Sequence, residues 1–191
     1  AAAIRLGSGW KGDKPLVDGM CGAGTFGIEA ALMARQIAPG ARRAFLFQKW
    51  PSFEANTWDY LCRKGREQEL PSLKVPIVGV DRDPLSVEIA RENALRAGLE
   101  GTIGWETCDF FEWGAKRMNA PPGTVLLNPP YGKRLKQDAS DLYEQLGAHL
   151  RQAFHGWQVV ALAPSRALAM KLKIPSARFW KVSHGGSPVT V

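Results

Sequence analysis

Four short strand-like runs, each followed at once or within two residues by Asp or Asn, constrain this chain more than any other feature. Leu16-Val17 runs into Asp18, Val75 to Val80 into Asp81, Thr102 to Thr107 into Asp109, and Thr124 to Leu127 into Asn128. Between them lie stretches with helical spacing. Thr25 to Arg35 repeats Ala, Leu and Met at helical intervals, and Pro84 to Ala97 has proline in its first turn and Gly98 as its stop. Ser140 to Phe154 predicts another helix, whereas Gln158 to Ala163 and Phe179 to Ser183 predict strands. Strands alternating with helices dictate a doubly wound α/β fold, with a mainly parallel sheet covered on both faces. In such a sheet ligands bind beyond the carboxyl ends of the strands, where the four polar residues stand.

The chain has 191 residues, a length suited to one domain, 1–191, with a substantial core. At 45% hydrophobic and 23% charged it has the composition of a folded globular protein rather than a disordered one. Pro39 to Leu73 interrupts the alternation, with Phe45, Phe47, Trp50, Phe53, Trp58 and Tyr60 preceding the charged stretch Arg63 to Glu69. It is expected to be an insertion at about 36–74 with one or two helices.

The first strand end, Asp18 to Thr25, is a glycine-rich turn whose backbone can approach a ligand and whose following helix start has free amides. Gly22, Gly24 and Gly27 spell GxGxxG, so an NAD-dependent oxidoreductase has to be weighed. That pattern needs an acidic residue about 20 residues onward; Asp81 stands far beyond that spacing. Asp81 is read as an acceptor for the two hydroxyls of an adenosine ribose, or as the cap of the Pro84 helix, for which Asp83 is better placed. Asp109 accepts an adenine amino proton while Phe110 packs on the ring, or else it is a turn aspartate beside core aromatics. Both alternatives stay open at this point. Asn128-Pro129-Pro130-Tyr131-Gly132 is the most specific element. Two prolines cannot continue a central strand, so the backbone leaves the sheet there with its carbonyls available. Asn128 adds an amide and Tyr131 a face on which a base can stack.

A net charge of +7 and an isoelectric point near 9.5 suit a polyanionic partner, although a merely solvated basic surface has the same composition. Cys21, Cys62 and Cys108 form no CxxC pair and are odd in number, which argues against a disulfide framework or a zinc ribbon. His149, His155 and His184 lack metal-binding spacing, and no metal is expected. No apolar run of membrane-spanning length and no signal-peptide layout is seen, so a cytoplasmic protein without membrane partners is expected. The chain opens without Met on Ala1 to Leu6, read as a helix already under way, and ends at Val191 apparently inside a strand. It is expected to be truncated at both ends.

Taken together, these strand ends resemble class I methyltransferases of the Asn-Pro-Pro-Tyr type, which alkylate exocyclic amines of nucleic-acid bases. Leu16 to Thr25 with Ile28-Glu29-Ala30-Ala31, and Asn128 to Leu135, look like the THUMP-associated RNA methylases. Phe47-Gln48-Lys49-Trp50 and Trp58 resemble the branch that makes N2-methylguanine in 23S ribosomal RNA. Gly19, Ala23 and Gly27 depart from the family pattern. The resemblance implies a seven-stranded sheet with an antiparallel last strand, and a THUMP domain N-terminal to this stretch. It implies S-adenosylmethionine against Asp18, Met20, Cys21, Gly22, Gly24 and Thr25, with Asp81, Arg82, Asp109, Phe110 and Asn128 completing the cofactor set. Cys21 and Cys108 are expected to pack in that region rather than react.

The activity so implied is methyl transfer to N2 of a guanine in RNA. The lone pair of that amine is delocalised into the base, and acceptors aimed at its protons make it a better nucleophile. Asn128 and the Pro129 carbonyl are expected to be those acceptors, Tyr131 to stack on a flipped base, and Lys133, Arg134 and Lys136 to meet nearby phosphates. Arg42, Arg43 and Lys49 are further phosphate candidates. The rival readings are an adenine-N6 methyltransferase acting on DNA or RNA and a non-catalytic RNA-binding module.

Overall fold

The computed structural model describes residues 8–130, 139–175, 177–184 and 187–191. Five strands form a wholly parallel sheet: β1 (Leu16–Gly19), β2 (Ile77–Asp81), β3 (Gly104–Thr107), β4 (Thr124–Leu127) and β5 (Gln158–Ala161). Their order is β3-β2-β1-β4-β5, so the order reverses between β1 and β4. Every residue of β1 and β4 is buried, as central parallel strands require.

Side chains alternate across this sheet and divide the core in two. Leu16, Ile77, Trp105, Leu126 and Val160 face one side. There they meet Phe26, Ala30 and Ala31 of α1 (Thr25–Ala34) and Val87, Ala90 and Ala94 of another helix, Pro84–Arg96. Val17, Val80, Val125 and Leu127 face the other side, against Leu142, Tyr143, Leu146 and Leu150 of the helix Ala139–Ala153. In chain order these helices follow α2 (Ala55–Glu67), so they are α3 and α4; a short α5 (Arg166–Lys171) comes after β5. Fully buried Tyr143 donates its hydroxyl proton to the Leu162 carbonyl at 2.8 Å, so α4 is also tied to the chain just beyond β5.

The expected strands and helices form, with ends shifted by a few residues at most. α5, which periodicity did not suggest, is only six residues long and is capped by Ser165, whose Oγ accepts from Leu168 N–H at 3.3 Å. The last two strands, β6 (Lys181–His184) and β7 (Ser187–Thr190), pair antiparallel as a hairpin. β7 meets the main sheet through an antiparallel bridge between Ala163 and Thr190, so the seven strands form five plus two rather than one uninterrupted ladder. Residues 36–74 carry α2 and a 3-10 turn, Leu46–Lys49, between α1 and β2. The helical reading of Ala1 to Leu6 lies outside the described residues.

Candidate cofactor and substrate site

The parallel register brings the polar strand ends to one edge. Gly19 of β1 pairs with Val80 of β2 and Leu127 of β4, so Asp81 and Asn128 follow immediately on either side of the first turn. Asp81 in turn pairs with Thr107, two residues before Asp109.

The turn after β1 is built by three residues in the left-handed region: Met20 at φ 59°, Gly22 at φ 51° and Gly24 at φ 78°. Cys21 N–H donates to the Val80 carbonyl at 2.9 Å, which ties the turn to β2. The two glycines have different work. A Cβ on Gly22 would meet nothing within 4 Å, leaving open space beside the backbone. A Cβ on Gly24 would lie 2.6 Å from the Trp105 ring and 2.9 Å from Ala90, so Gly24 is there for packing.

Asp18 is fully buried beneath this turn. Its Oδ2 accepts Gly27 N–H at 2.9 Å, whereas its Oδ1 has no partner among the described residues. Burial pushes its carboxyl up to about 8, the Gly27 N–H opposes the shift, and the Asp81 charge adds to it. Burial also raises the Cys21 thiol, with Asp18 and Asp81 contributing, so Cys21 stays protonated and packs.

Asp81 links two loops: Oδ2 accepts Gly22 N–H at 2.8 Å and Oδ1 accepts Asp83 N–H at 3.0 Å. The cap of α3 is Asp83, which accepts Leu85 N–H at 3.1 Å, Ser86 N–H at 3.3 Å and the Ser86 hydroxyl at 2.6 Å. The capping alternative for Asp81 is thereby removed. Arg82 and Thr25 are exposed at the same edge.

Asp109 Oδ1 accepts Phe111 N–H at 2.9 Å and caps a 3-10 turn. The Phe110 ring does not present a face to the edge. It is 2% exposed, stacks on Phe154 at 5.4 Å and fills the space a Cβ on Gly19 would need. The expectation that this ring packs on adenine is therefore corrected; the core-aromatic alternative describes it. His149 lies against both Phe110 and Phe111, with Nε2 2.9 Å from the Trp113 carbonyl. Burial lowers its pKa, favouring the neutral ring.

Asn128, half-buried, has a buried side-chain Oδ1 without a partner among the described residues. Pro129 beside it is buried. Tyr131, Lys133, Arg134 and Lys136 lie outside the described residues. Sequence reasoning missed Trp105, whose indole lies over Gly24, Gly27 and Gly79. The readable signal was a glycine inside a strand, at Gly79, which marks a close approach of something large.

A nucleoside cofactor fits these groups: a carboxyl oxygen at Asp18 with no partner among the described residues, open space at Gly22, and the Asp81 carboxylate with lone pairs left over. Residues 1–188 match the family model of the RMKL-like methyltransferase domain. The chain belongs to the RMKL-like methyltransferase family. It is 37% identical to ribosomal RNA large subunit methyltransferase K/L of Syntrophotalea carbinolica, covering 97% of this chain and 27% of that relative. The crystal structure of SMU.472 complexed with S-adenosylhomocysteine superposes with a TM-score of 0.89 at 34% identity, covering 99% of this chain and 50% of that one. A Listeria monocytogenes structure described as a predicted N6-adenine-specific DNA methylase has a TM-score of 0.84 at 28% identity, covering 98% and 48%. The chain thus spans about a quarter of that curated relative and half of the solved chains. The methyltransferase family and the S-adenosylhomocysteine complex identify S-adenosylmethionine as the cofactor.

Proposed function

We propose that this chain transfers a methyl group to the exocyclic N2 of a guanine in RNA, with large-subunit ribosomal RNA as the substrate. The observation that carries the reading is the buried Oδ1 of Asn128, without a partner among the described residues, where β4 ends and two prolines follow. S-adenosylmethionine supplies the sulfonium methyl. Asp18 and Asp81, with the open side of Gly22, hold its polar groups, and Asp109 offers its second carboxylate oxygen to adenine. Met20, Cys21, Gly24, Thr25 and Arg82 shape and border the same pocket. Asn128 Oδ1 and the Pro129 carbonyl accept hydrogen bonds from the two amine N–H groups and favour the pyramidal nitrogen, whose lone pair forms the N–C bond as the S–C bond of the sulfonium breaks. The methylated nitrogen then releases one proton to solvent, leaving a neutral secondary amine. Tyr131 stacks on the extruded base, and Lys133, Arg134 and Lys136 meet adjacent phosphates.

The name of the Syntrophotalea relative supports ribosomal RNA, and the greater length of the relatives leaves room for an N-terminal THUMP domain. Adenine N6 is the second reading, favoured by the description of the Listeria neighbour, because the same two acceptors suit either amine. Single-turnover assays at saturating cofactor and RNA test the acceptor role. Asn128→Ala is expected to lower the rate on the order of 10²-fold or more while cofactor affinity stays within twofold or so, by analogy with a lost oxyanion-hole donor. Transfer at the wild-type rate would remove this loop from the chemistry.

A further inference from the structure

The segment 36–74 has no part in the site above. It leaves the last turn of α1 and returns at the start of β2, which sets it beyond the amino edge of the sheet, opposite Asp18, Asp81 and Asn128. Two hydrogen bonds between Arg35 and Leu70, at 2.8 and 2.9 Å, close its base. Phe47 is the hub of its interior, with ring centroids of Trp58 at 5.2 Å, Phe45 at 5.3 Å, Phe53 at 6.1 Å and Trp50 at 6.5 Å. Phe47, Trp50, Phe53, Trp58 and Leu61 wall an open groove of about 400 Å³, whose lining also includes the Glu54 carboxylate. That volume is in the range of small-ligand sites. The rings fix one another, yet Trp50 at its mouth is 64% exposed.

We propose that this groove is a base-stacking site that takes an unpaired nucleotide of the RNA substrate, far from the nucleotide being methylated. The inference rests on the RNA methyltransferase reading and adds a second point of RNA contact to it. Charge selects the occupant. The segment holds seven Lys and Arg against four Asp and Glu. Its exposed Arg42, Arg43, Lys49, Arg63 and Arg66 form no ion pair among the described residues. Two of these cations lie over rings of the same segment that border the groove rather than line it: Arg43 is 4.5 Å from the Phe45 centroid and Arg63 is 5.6 Å from that of Tyr60. Solvent-facing rings that stack on any base, beside cations free to meet phosphates, are the two requirements for binding single-stranded nucleic acid. Because the groove and the methylation site lie at opposite edges, with the ten-residue α1, about 15 Å long, running from one to the other, the two contacts engage different parts of a folded RNA.

The test uses the intact protein with Trp50→Ala and Trp50→Phe, since Trp50 is exposed enough to be replaced without unfolding the segment. Anisotropy with labelled oligoadenylate and with large-subunit ribosomal RNA is expected to show about 5- to 150-fold weaker binding for Trp50→Ala, equivalent to roughly 1 to 3 kcal/mol of stacking per base. Trp50→Phe should recover most of it. KM for RNA should rise while kcat and S-adenosylhomocysteine affinity hold. Unchanged RNA affinity and KM in Trp50→Ala would overturn the inference. Unchanged RNA affinity with an expanded hydrodynamic radius would assign the groove to another part of the polypeptide and would overturn it equally. Failure of the RNA reading itself is distinguishable, because wild-type protein would then neither bind nor methylate ribosomal RNA.

Discussion

Asp18 and Asn128 each hold a buried oxygen without a hydrogen-bond partner among the described residues, and a buried unsatisfied polar atom costs on the order of 1 to 3 kcal/mol. Both stand at the carboxyl edge of the sheet, where the proposed function puts cofactor and substrate amine, so under that proposal a ligand relieves the cost. For Asp18 the consequence is a pH dependence. Its carboxyl titrates at about 8 in the fold against an ordinary 3.8, so the folded state keeps a proton that the unfolded chain has released. The stability this contributes is fully present below about pH 4 and is lost as pH rises through 8. Asp18→Asn should therefore flatten the fall in the melting temperature of the ligand-free protein between pH 4 and pH 8.5; equal slopes would show that Asp18 is ionised throughout. Asp81 is a different case, since its oxygens already hold the Gly22 and Asp83 amides. Asp81→Ala should weaken S-adenosylhomocysteine binding by roughly 1.5 to 3 kcal/mol, about 10- to 150-fold, in a protein whose circular dichroism is unchanged. Calorimetry giving wild-type affinity would deny Asp81 its ribose role.

The turn between β1 and α1 shows how two glycines of one motif diverge. Gly22→Ala should cost about 1 to 2 kcal/mol through its left-handed backbone and project a methyl into the open space, weakening cofactor binding markedly. Gly24→Ala meets both the same backbone strain and the Trp105 ring, so it should lower the melting temperature further. Thermal melts with and without S-adenosylhomocysteine separate the two, and the account fails if Gly22→Ala binds normally. The strands were legible because local signals agree with the fold: Thr124–Leu127 is a closed apolar run stopped by prolines, and Pro84 follows a capping Asp83. Trp105 over three glycines and Phe110 beneath Gly19 were not legible. Their positions depend on which strands become neighbours, and the residues concerned are far apart in sequence. The same tertiary packing explains Gly19, which departs from the family pattern, because a Cβ there would lie 2.5 Å from Phe110. Gly27 has no such explanation, since a Cβ there would make ordinary contacts at 3.4 and 3.5 Å.

Across the whole molecule, the chemistry gathers at the carboxyl edge of the parallel sheet and the aromatic, basic segment at the amino edge, so an RNA that uses both must reach across the domain. The sequence carried the sheet and the cofactor class. It carried the groove at 36–74 only as a clustering of aromatics, because which rings meet and which stay open is decided by folding. The proposed methyl transfer to guanine N2 through Asn128 is tested by mass spectrometry of nucleosides from ribosomal RNA incubated with S-adenosylmethionine and the intact protein, wild type or Asn128→Ala. N2-methylguanosine is expected with wild type and about 100-fold less or below with Asn128→Ala at early times; N6-methyladenosine in its place, or no methylated nucleoside at all, would contradict the account.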